Sequence, residues 1–362
     1  MEIFIEFLFF LLKAVTVAIL VFVPIFLISI SLKNKDESPG ALKIKNLSKQ
    51  YKAMANSLKV LNLNKDETKK FIKAEKKQLK TSLKSGSKGK KKPVYVLDFE
   101  GDIEASSVES LREEINAILN SETKCEEIIL RLESRGGTVI GYGLCAAQLQ
   151  RIRDANIKLT ACVDKVAASG GYMMACVADK IISAPFAVIG SIGVVAAIPN
   201  FHKILKKNDI DYELHTAGEF KRTITPFGET TEEGRKKFKE DLEDIHTLFK
   251  NHVSKFRPQL DISKIATGEV WEGIEALEVG LVDELKTSDE YILDFAKRHD
   301  VYSIQYAVKE KISDRFNKFF KLLIKDSIGS IEEYFEKRKF KWIYLVYELS
   351  LIHISEPTRP VP

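Results

Sequence analysis

No two of the four cysteines in this 362-residue chain stand in a C-x-x-C spacing; Cys125, Cys145, Cys162 and Cys176 each sit inside an apolar-patterned segment. They read as buried thiols, which excludes a disulfide frame and a cysteine metal site. Histidine is also scarce. Of the six, His246 and His252 are six residues apart, the wrong spacing for one helix face, so the pattern gives no support to a metal centre. Arginine is missing between Lys33 and Lys92, and no aromatic residue interrupts the lysines from Ala74 to Lys92. A basic tract without stacking side chains argues against nucleic acid as a partner. No internal repeat is visible, so any catalytic unit occurs once.

What is present is unevenly distributed. Residues 33–92 hold nineteen lysines against five acids, a net +14, so the remainder of a chain whose total is +5 carries −9. A basic arm is attached to an acidic body. Ahead of it, nineteen residues from Ala14 to Leu32 carry no charge, and only Lys13 interrupts the apolar run that begins at Phe7. A run of this length crosses a bilayer as a helix, and Pro24 is tolerated in one. A cleaved signal peptide fits less well, because Glu2 and Glu6 replace the usual basic cluster and the only small-x-small site is Ser29–Ser31. The expectation is a retained transmembrane anchor over 7–32 and a lysine-rich linker over 33–92. That linker is either a solvated spacer or a surface drawn to anionic lipid headgroups, at about 1 kcal/mol per cation near the membrane.

From Pro93 strand-like and helix-like segments alternate. "VYVLDF" reads as a strand, and the next segment places Leu111, Ile115, Ile118 and Leu119 at helix spacing. The strand "EEIILRLES", a Gly136–Gly137 turn, a helix from about Tyr142 to Asp154 and the strand "IKLTACVD" follow. After a serine turn come a helix-like run from Tyr172 to Ala178 and the strands "KIISAP" and "VIGSIGVVAAI". Further on, Thr230 and Glu233 form a candidate capping box for a helix with Phe238, Leu242, Ile245 and Phe249 on its apolar face. Repeated βαβ units imply an α/β fold with a mainly parallel sheet covered by helices.

In such folds the turns at the strand ends carry the chemistry. Two of them, "ESRGGTV" and "AASGGYM", are rich in glycine, which allows close backbone approach and N–H groups aimed at one developing negative charge. Ser169, between two alanines and two glycines where a strand gives way to a helix, is either a helix cap or a nucleophile. A nucleophilic serine needs a proton acceptor. His202 and His215 have no evident partner turn, and Lys221 in "AGEFKRTITPFGE" is either a surface lysine or a base whose pKa burial would have to lower.

The stretch from Val94 to Glu290, through "VDKVAASGGYMMACVADKI", "IGSIGV" and "GEFKRTITPFGE", resembles the signal peptide peptidase A family of serine peptidases, most closely its membrane-anchored SohB branch. The resemblance implies a ClpP/crotonase-like fold behind one transmembrane helix, with Ser169 as nucleophile, Lys221 as base and Ser191 hydrogen-bonded to the lysine amine. It further implies an oxyanion hole of Gly137 and Gly170, with Gly136 supporting, and no metal or cofactor. Peptide substrates, membrane lipid and a homo-oligomer are the implied partners. The implied location is a bacterial inner membrane with the catalytic domain in the periplasm. The lysines after the anchor pull the other way, because positive charge favours the cytoplasmic side. Arg135 stands where the family usually has proline, which removes a restraint on the oxyanion turn.

The expected organisation is an anchor at 7–32, the linker to 92, a catalytic domain over 93–300, a basic helical tail over 301–348, and a non-native end over 349–362. "LSLIHISEPTR" is what a transposon-end sequencing adapter would encode in frame. Two other functions compete with an endopeptidase. One is a catalytically silent membrane scaffold. The other is a crotonase-like acyl-CoA enzyme, against which the Lys221 motif and the absence of a visible CoA-binding signature both argue.

Overall fold

The computed structural model describes Lys13 and residues 40–84, 92–218 and 220–307. The expected anchor, the stretch 308–348 and the adapter-like end therefore lie outside the described residues, apart from Lys13. Among the described residues no helix is long and apolar enough to cross a membrane.

In chain order the elements are β1 (Ala41–Asn46), α1 (Leu47–Val60), α2 (Lys65–Lys84), β2 (Val94–Gly101), α3 (Val108–Leu119), β3 (Glu127–Ser134) and α4 (Val139–Asp154). Next come β4 (Lys158–Val163), β5 (Val166–Ala168), α5 (Gly170–Ala175), β6 (Lys180–Ser183), β7 (Val188–Gly190) and α6 (His202–Lys207). The chain continues with α7 (Glu232–Phe256), α8 (Ile262–Ile265), β8 (Val270–Glu272), α9 (Gly273–Glu278), β9 (Glu284–Leu285), α10 (Ser288–Ala296) and β10 (Val301–Ala307). One sheet of ten strands runs β1-β10-β2-β3-β4-β6-β9, and β5, β7 and β8 branch from β3. Among the described residues only the β1–β10 and β7–β8 pairs are antiparallel.

The branch has a simple cause. β4 pairs with β3 as far as Arg131 opposite Cys162, then the chain steps at Asp164, and β5 resumes beside β3 at Ser134 opposite Ala167. Val163 O accepts from Ala184 N while Lys165 O accepts from Val188 N, so carbonyls on either side of Asp164 feed two different branches. Asp164 is held by Ser288, whose N–H and hydroxyl both donate to its carboxylate.

Side chains of β2 alternate between two cores, as period-2 geometry requires. Leu97 and Phe99 pack with Leu130, Leu132 and the buried faces of α3, α4 and α5. Val94 and Val96 join Ile129, Cys162 and Ile182 under Leu47, Tyr291 and Ile292. The four cysteines are free thiols; Cys145, Cys162 and Cys176 are buried and Cys125 is half-buried. Burial pushes the Cys145 thiol up to about 12, so it stays protonated.

The sheet is wider than residues 93–300. Leu42 and Ile44 alternate with Lys43 and Lys45, and this part of the lysine-rich arm pairs as an edge strand with β10. The stretch 301–307, expected as the start of a helical tail, is that interior strand; Val301 and Ser303 are buried on one face. Local starts shift as well. α4 opens three residues before Tyr142, capped by Thr138 Oγ1, which accepts from Gly141 N at 3.4 Å. α5 opens at Gly170 rather than Tyr172. The cap of α7 is Thr231, whose hydroxyl accepts from Gly234 N at 3.0 Å, while Thr230 accepts from the Asn200 amide. Of "VIGSIGVVAAI" only Val188–Gly190 is strand.

On α3, Glu114 is a buried carboxylate. Its Oε1 accepts from Tyr306 N at 2.7 Å, Oε2 has no partner, and burial raises its pKa to about 7. The raised value means that folding favours the protonated form. Its contribution is intact below the unfolded value near 4.5 and is lost as pH rises through about 7. Glu114→Gln removes that loss. In urea unfolding the variant is expected to exceed the parent by about 2 to 3 kcal/mol at pH 8 and to match it near pH 4. Equal stabilities at pH 8 would contradict this account.

Candidate active site

Strand register crowds four chain turns onto one edge of the sheet. Gly101 lies opposite Ser134, Ser134 opposite Ala167, and Ala168 opposite Gly190. The residues that follow these ends are Asp102, Arg135, Ser169 and Ser191.

Ser169 takes φ 53° and ψ −118°, a left-handed conformation that costs a non-glycine residue about 1–3 kcal/mol. Its backbone is pinned on both sides: its N–H donates to Gly190 O at 2.8 Å and its carbonyl accepts from Met173 N at 2.9 Å. Although it occupies the cap position of α5, its side chain accepts no helix N–H. A capping serine has an extended backbone and turns its oxygen back onto the first turn. Ser169 does neither, so the cap reading fails. Half-buried, its hydroxyl has no hydrogen-bond partner among the described residues.

Gly136 lies directly against this turn. At its φ of +89° a Cβ would stand 2.7 Å from Ser169 Cβ and 2.7 Å from Gly170 N, so only glycine permits the contact. Gly136 N donates to Ser134 Oγ at 3.0 Å, and Thr138 N to Ile103 O at 2.8 Å. Between them, Gly137 N has no acceptor among the described residues, and neither has Gly170 N. Two free N–H groups flanking a strained serine form an arrangement able to receive an oxygen that gains negative charge.

Ser191 is the neighbour of Ser169 across the β5–β7 pair. It too has a positive φ, 51°, and its N–H donates to Glu269 O at 2.6 Å. Ser169, Gly136, Gly137, Gly170 and Ser191 are thus brought together. Lys221 is not joined to them by any hydrogen bond or ion pair among the described residues. It is exposed on a turn in which its N–H donates to Gly218 O at 3.2 Å. The long segment carrying it is cross-linked near its base, where Phe201 N donates to Pro226 O at 2.6 Å and the Phe201 and Phe227 rings lie 6.0 Å apart. Val195, Ile204, Ile210 and Phe220 on this arm are exposed.

Among the described residues no histidine is hydrogen-bonded to Ser169. His252 Nε2 faces Met173 O at 3.0 Å, with its pKa lowered by burial, and His246 Nε2 faces Ile192 O at 3.3 Å. Among the described residues no group of three His, Cys, Asp or Glu side chains could hold a metal ion. Sequence reasoning missed Tyr142, Ser134 and the Glu269 carbonyl. Ser134 was detectable in principle as the residue ending the strand before "RGG"; the other two depend on long-range pairing.

Residues 2–149 match the N-terminal region of peptidase family S49, and residues 151–302 match peptidase family S49. The chain is 48% identical over 345 residues to a protein of Haemophilus influenzae named "Probable protease SohB", covering 92% of this chain and 97% of that one. It is 47% identical over 330 residues to the protein of the same name from Buchnera aphidicola subsp. Schizaphis graminum, covering 90% and 96%. A solved mutant of the 1510-N membrane-bound stomatin-specific protease is similar over 56% of this chain and 84% of that one, at 17% identity and a TM-score of 0.37.

The glycine contacts give a direct check. A Cβ at Gly170 would run into the Tyr142 ring, whereas one at Gly143, on the same helix as Tyr142, meets nothing within 4 Å. Gly170→Ala is expected to lose about 1–3 kcal/mol from overpacking, and Gly143→Ala to gain about 0.5–1 kcal/mol from helix propensity. Denaturant unfolding of both variants measures the contrast, and equal effects would contradict the packing described.

Proposed function

Because the chain belongs to peptidase family S49, we propose that it is a membrane-anchored serine endopeptidase in which Ser169 is the nucleophile and Lys221 the base. The observation that carries this reading is the strained, uncapped Ser169 between two N–H groups without acceptors. Strain of this kind persists only where the surroundings over-determine it, and it collects at working sites. The split of the sheet at Asp164, with the serine turn at the end of β5 on the β5–β7–β8 branch, supports a ClpP/crotonase-like assignment of the fold.

In the proposed reaction neutral Lys221 takes the proton of Ser169 as Oγ bonds to the peptide carbonyl carbon. The carbonyl oxygen becomes an anion held by Gly137 N and Gly170 N, at about 3 to 4 kcal/mol for a single donor in comparable sites. Collapse breaks the C–N bond, and the lysine ammonium returns its proton to the leaving amine. Water then attacks the acyl-enzyme, giving one proton to Lys221. The C–O bond to Ser169 breaks, and that proton restores the serine hydroxyl. No step calls for a metal or cofactor.

A lysine serves as base only when desolvated. Lys221 lies on an exposed arm rich in apolar side chains, and a second copy of the chain covering that arm supplies the missing burial. We therefore include a homo-oligomer in the proposal, with Ser191 hydrogen-bonding the amine. The uncharged run from Ala14 to Leu32 serves as the anchor in a bacterial inner membrane, with the catalytic domain periplasmic and acting on membrane-released or misfolded peptides. The lysines of α1 and α2, beside the exposed Met54, Leu58 and Leu61, suit contact with anionic lipid. The Lys221 amine, without a partner among the described residues, is the one observation that favours a silent scaffold instead.

Turnover of a peptide substrate by Ser169→Ala and Lys221→Ala separates the two. Each variant is expected to lose about a thousandfold or more in kcat while its melting temperature is kept, and the double variant to lose little beyond either. Near-parental turnover by either folded single variant would remove the dyad.

A further inference from the structure

We infer that Tyr142 is a positioning residue of the proposed peptidase site, the one buried side chain that holds the Gly136–Gly137 turn and the Ser169–Gly170 turn at a fixed separation. The inference rests on the serine peptidase reading for its catalytic consequence, but not for its geometry.

Tyr142 has no solvent exposure, and its hydroxyl makes two hydrogen bonds, one to Asp102 O at 2.7 Å and one to Ser134 Oγ. The direction of both is fixed from the ends. A backbone carbonyl only accepts, so the tyrosine proton goes to Asp102 O; the Ser134 hydroxyl must then donate to Tyr142. Ser134 Oγ in turn accepts from Gly136 N, at 3.0 Å, and an amide only donates. The result is a one-way chain from Gly136 N–H through Ser134 and Tyr142 to the Asp102 carbonyl, tying the turn after β3 to the turn after β2. Burial also raises the tyrosine pKa, which keeps the donating proton in place.

The ring does the second half of the work. Gly170 sits on the ring face, so closely that a Cβ there would enter it. The ring therefore sets the depth of Gly170 N, and the hydroxyl sets the position of the turn bearing Gly137 N. An ordinary core tyrosine needs one partner for its hydroxyl. This one spends both bonds on the turns after β2 and β3, the second of which packs against Ser169. Arg135, which has no ring to fix its φ, leaves that turn dependent on the Ser134–Gly136 bond.

The test uses the full chain in detergent micelles, with Tyr142→Phe, which keeps the ring, Ser134→Ala, and the double variant. Three readouts are needed: the melting temperature, kcat and KM on a peptide, and hydrogen exchange of the amides from Gly136 to Thr138. Either single variant is expected to lower kcat about 10- to 100-fold with KM within about twofold, because misplaced oxyanion donors weaken only the transition state. The double variant should lose no more than the worse single one, since both break the same chain. Exchange at Gly136 and Thr138, the hydrogen-bonded amides of the turn, is expected to quicken at least about tenfold while that of β3 is unchanged. Unchanged kcat in an active parent, or unchanged exchange at this turn, would overturn the inference. If the parent and Ser169→Ala are equally inactive, the catalytic reading has failed, and exchange alone decides whether Tyr142 holds the turn.

Discussion

The contact between two backbone turns, Gly136 against Ser169 and Gly170, is the constraint on which the site depends. It leaves no room for a Cβ on Gly136. Once the turns touch, the hydroxyl of Ser169 and the N–H groups of Gly137 and Gly170 share one small region, and the strained backbone of Ser169 has somewhere to be held. The stabilisation of that strain is visible in the bonds from Ser169 N to Gly190 O and from Met173 N to Ser169 O. A preorganised arrangement of this kind needs no rearrangement when charge develops.

The sheet supplies the contact by branching. If β4 had continued beside β3, its end would have carried the chain onto the same plane as β6. The step at Asp164, fixed by Ser288, instead lifts β5 and β7 onto a second branch whose ends lie level with the end of β3. Buried Arg257 ties the end of α7 to the turn before β9: its guanidinium donates to both carboxylate oxygens of the less buried Asp283, at 2.8 and 2.7 Å, and to Gly280 O at 3.0 Å. A buried charge satisfied at each of these points specifies position more than it adds stability.

Much of this was legible in the residues. The apolar runs of β2, β3 and β4 and the spacing of Leu111, Ile115 and Ile118 carried the βαβ pattern, because those positions are buried and their periods are unambiguous. The edge strand β1 was not, since its large apolar side chains, Leu42 and Ile44, are exposed between lysines and read as part of a solvated arm. Nor was β10, which gains its identity from partners more than two hundred residues away. At the site, glycines beside a serine pointed to Ser169, but local sequence could not separate a cap from a nucleophile; φ and the missing side-chain cap bond count against the cap. Lys221 was found by motif alone. Its surroundings in a single chain are those of a surface residue.

The central claim is that Ser169 attacks a carbonyl whose oxygen then lies between Gly137 N and Gly170 N. A structure of the full chain with a peptide aldehyde bonded to it tests this most directly. The account expects a covalent bond from Ser169 Oγ to the aldehyde carbon, with the resulting oxygen about 2.7–3.1 Å from both N–H nitrogens. An adduct on another side chain, or one on Ser169 whose oxygen points to solvent away from both glycines, would contradict it.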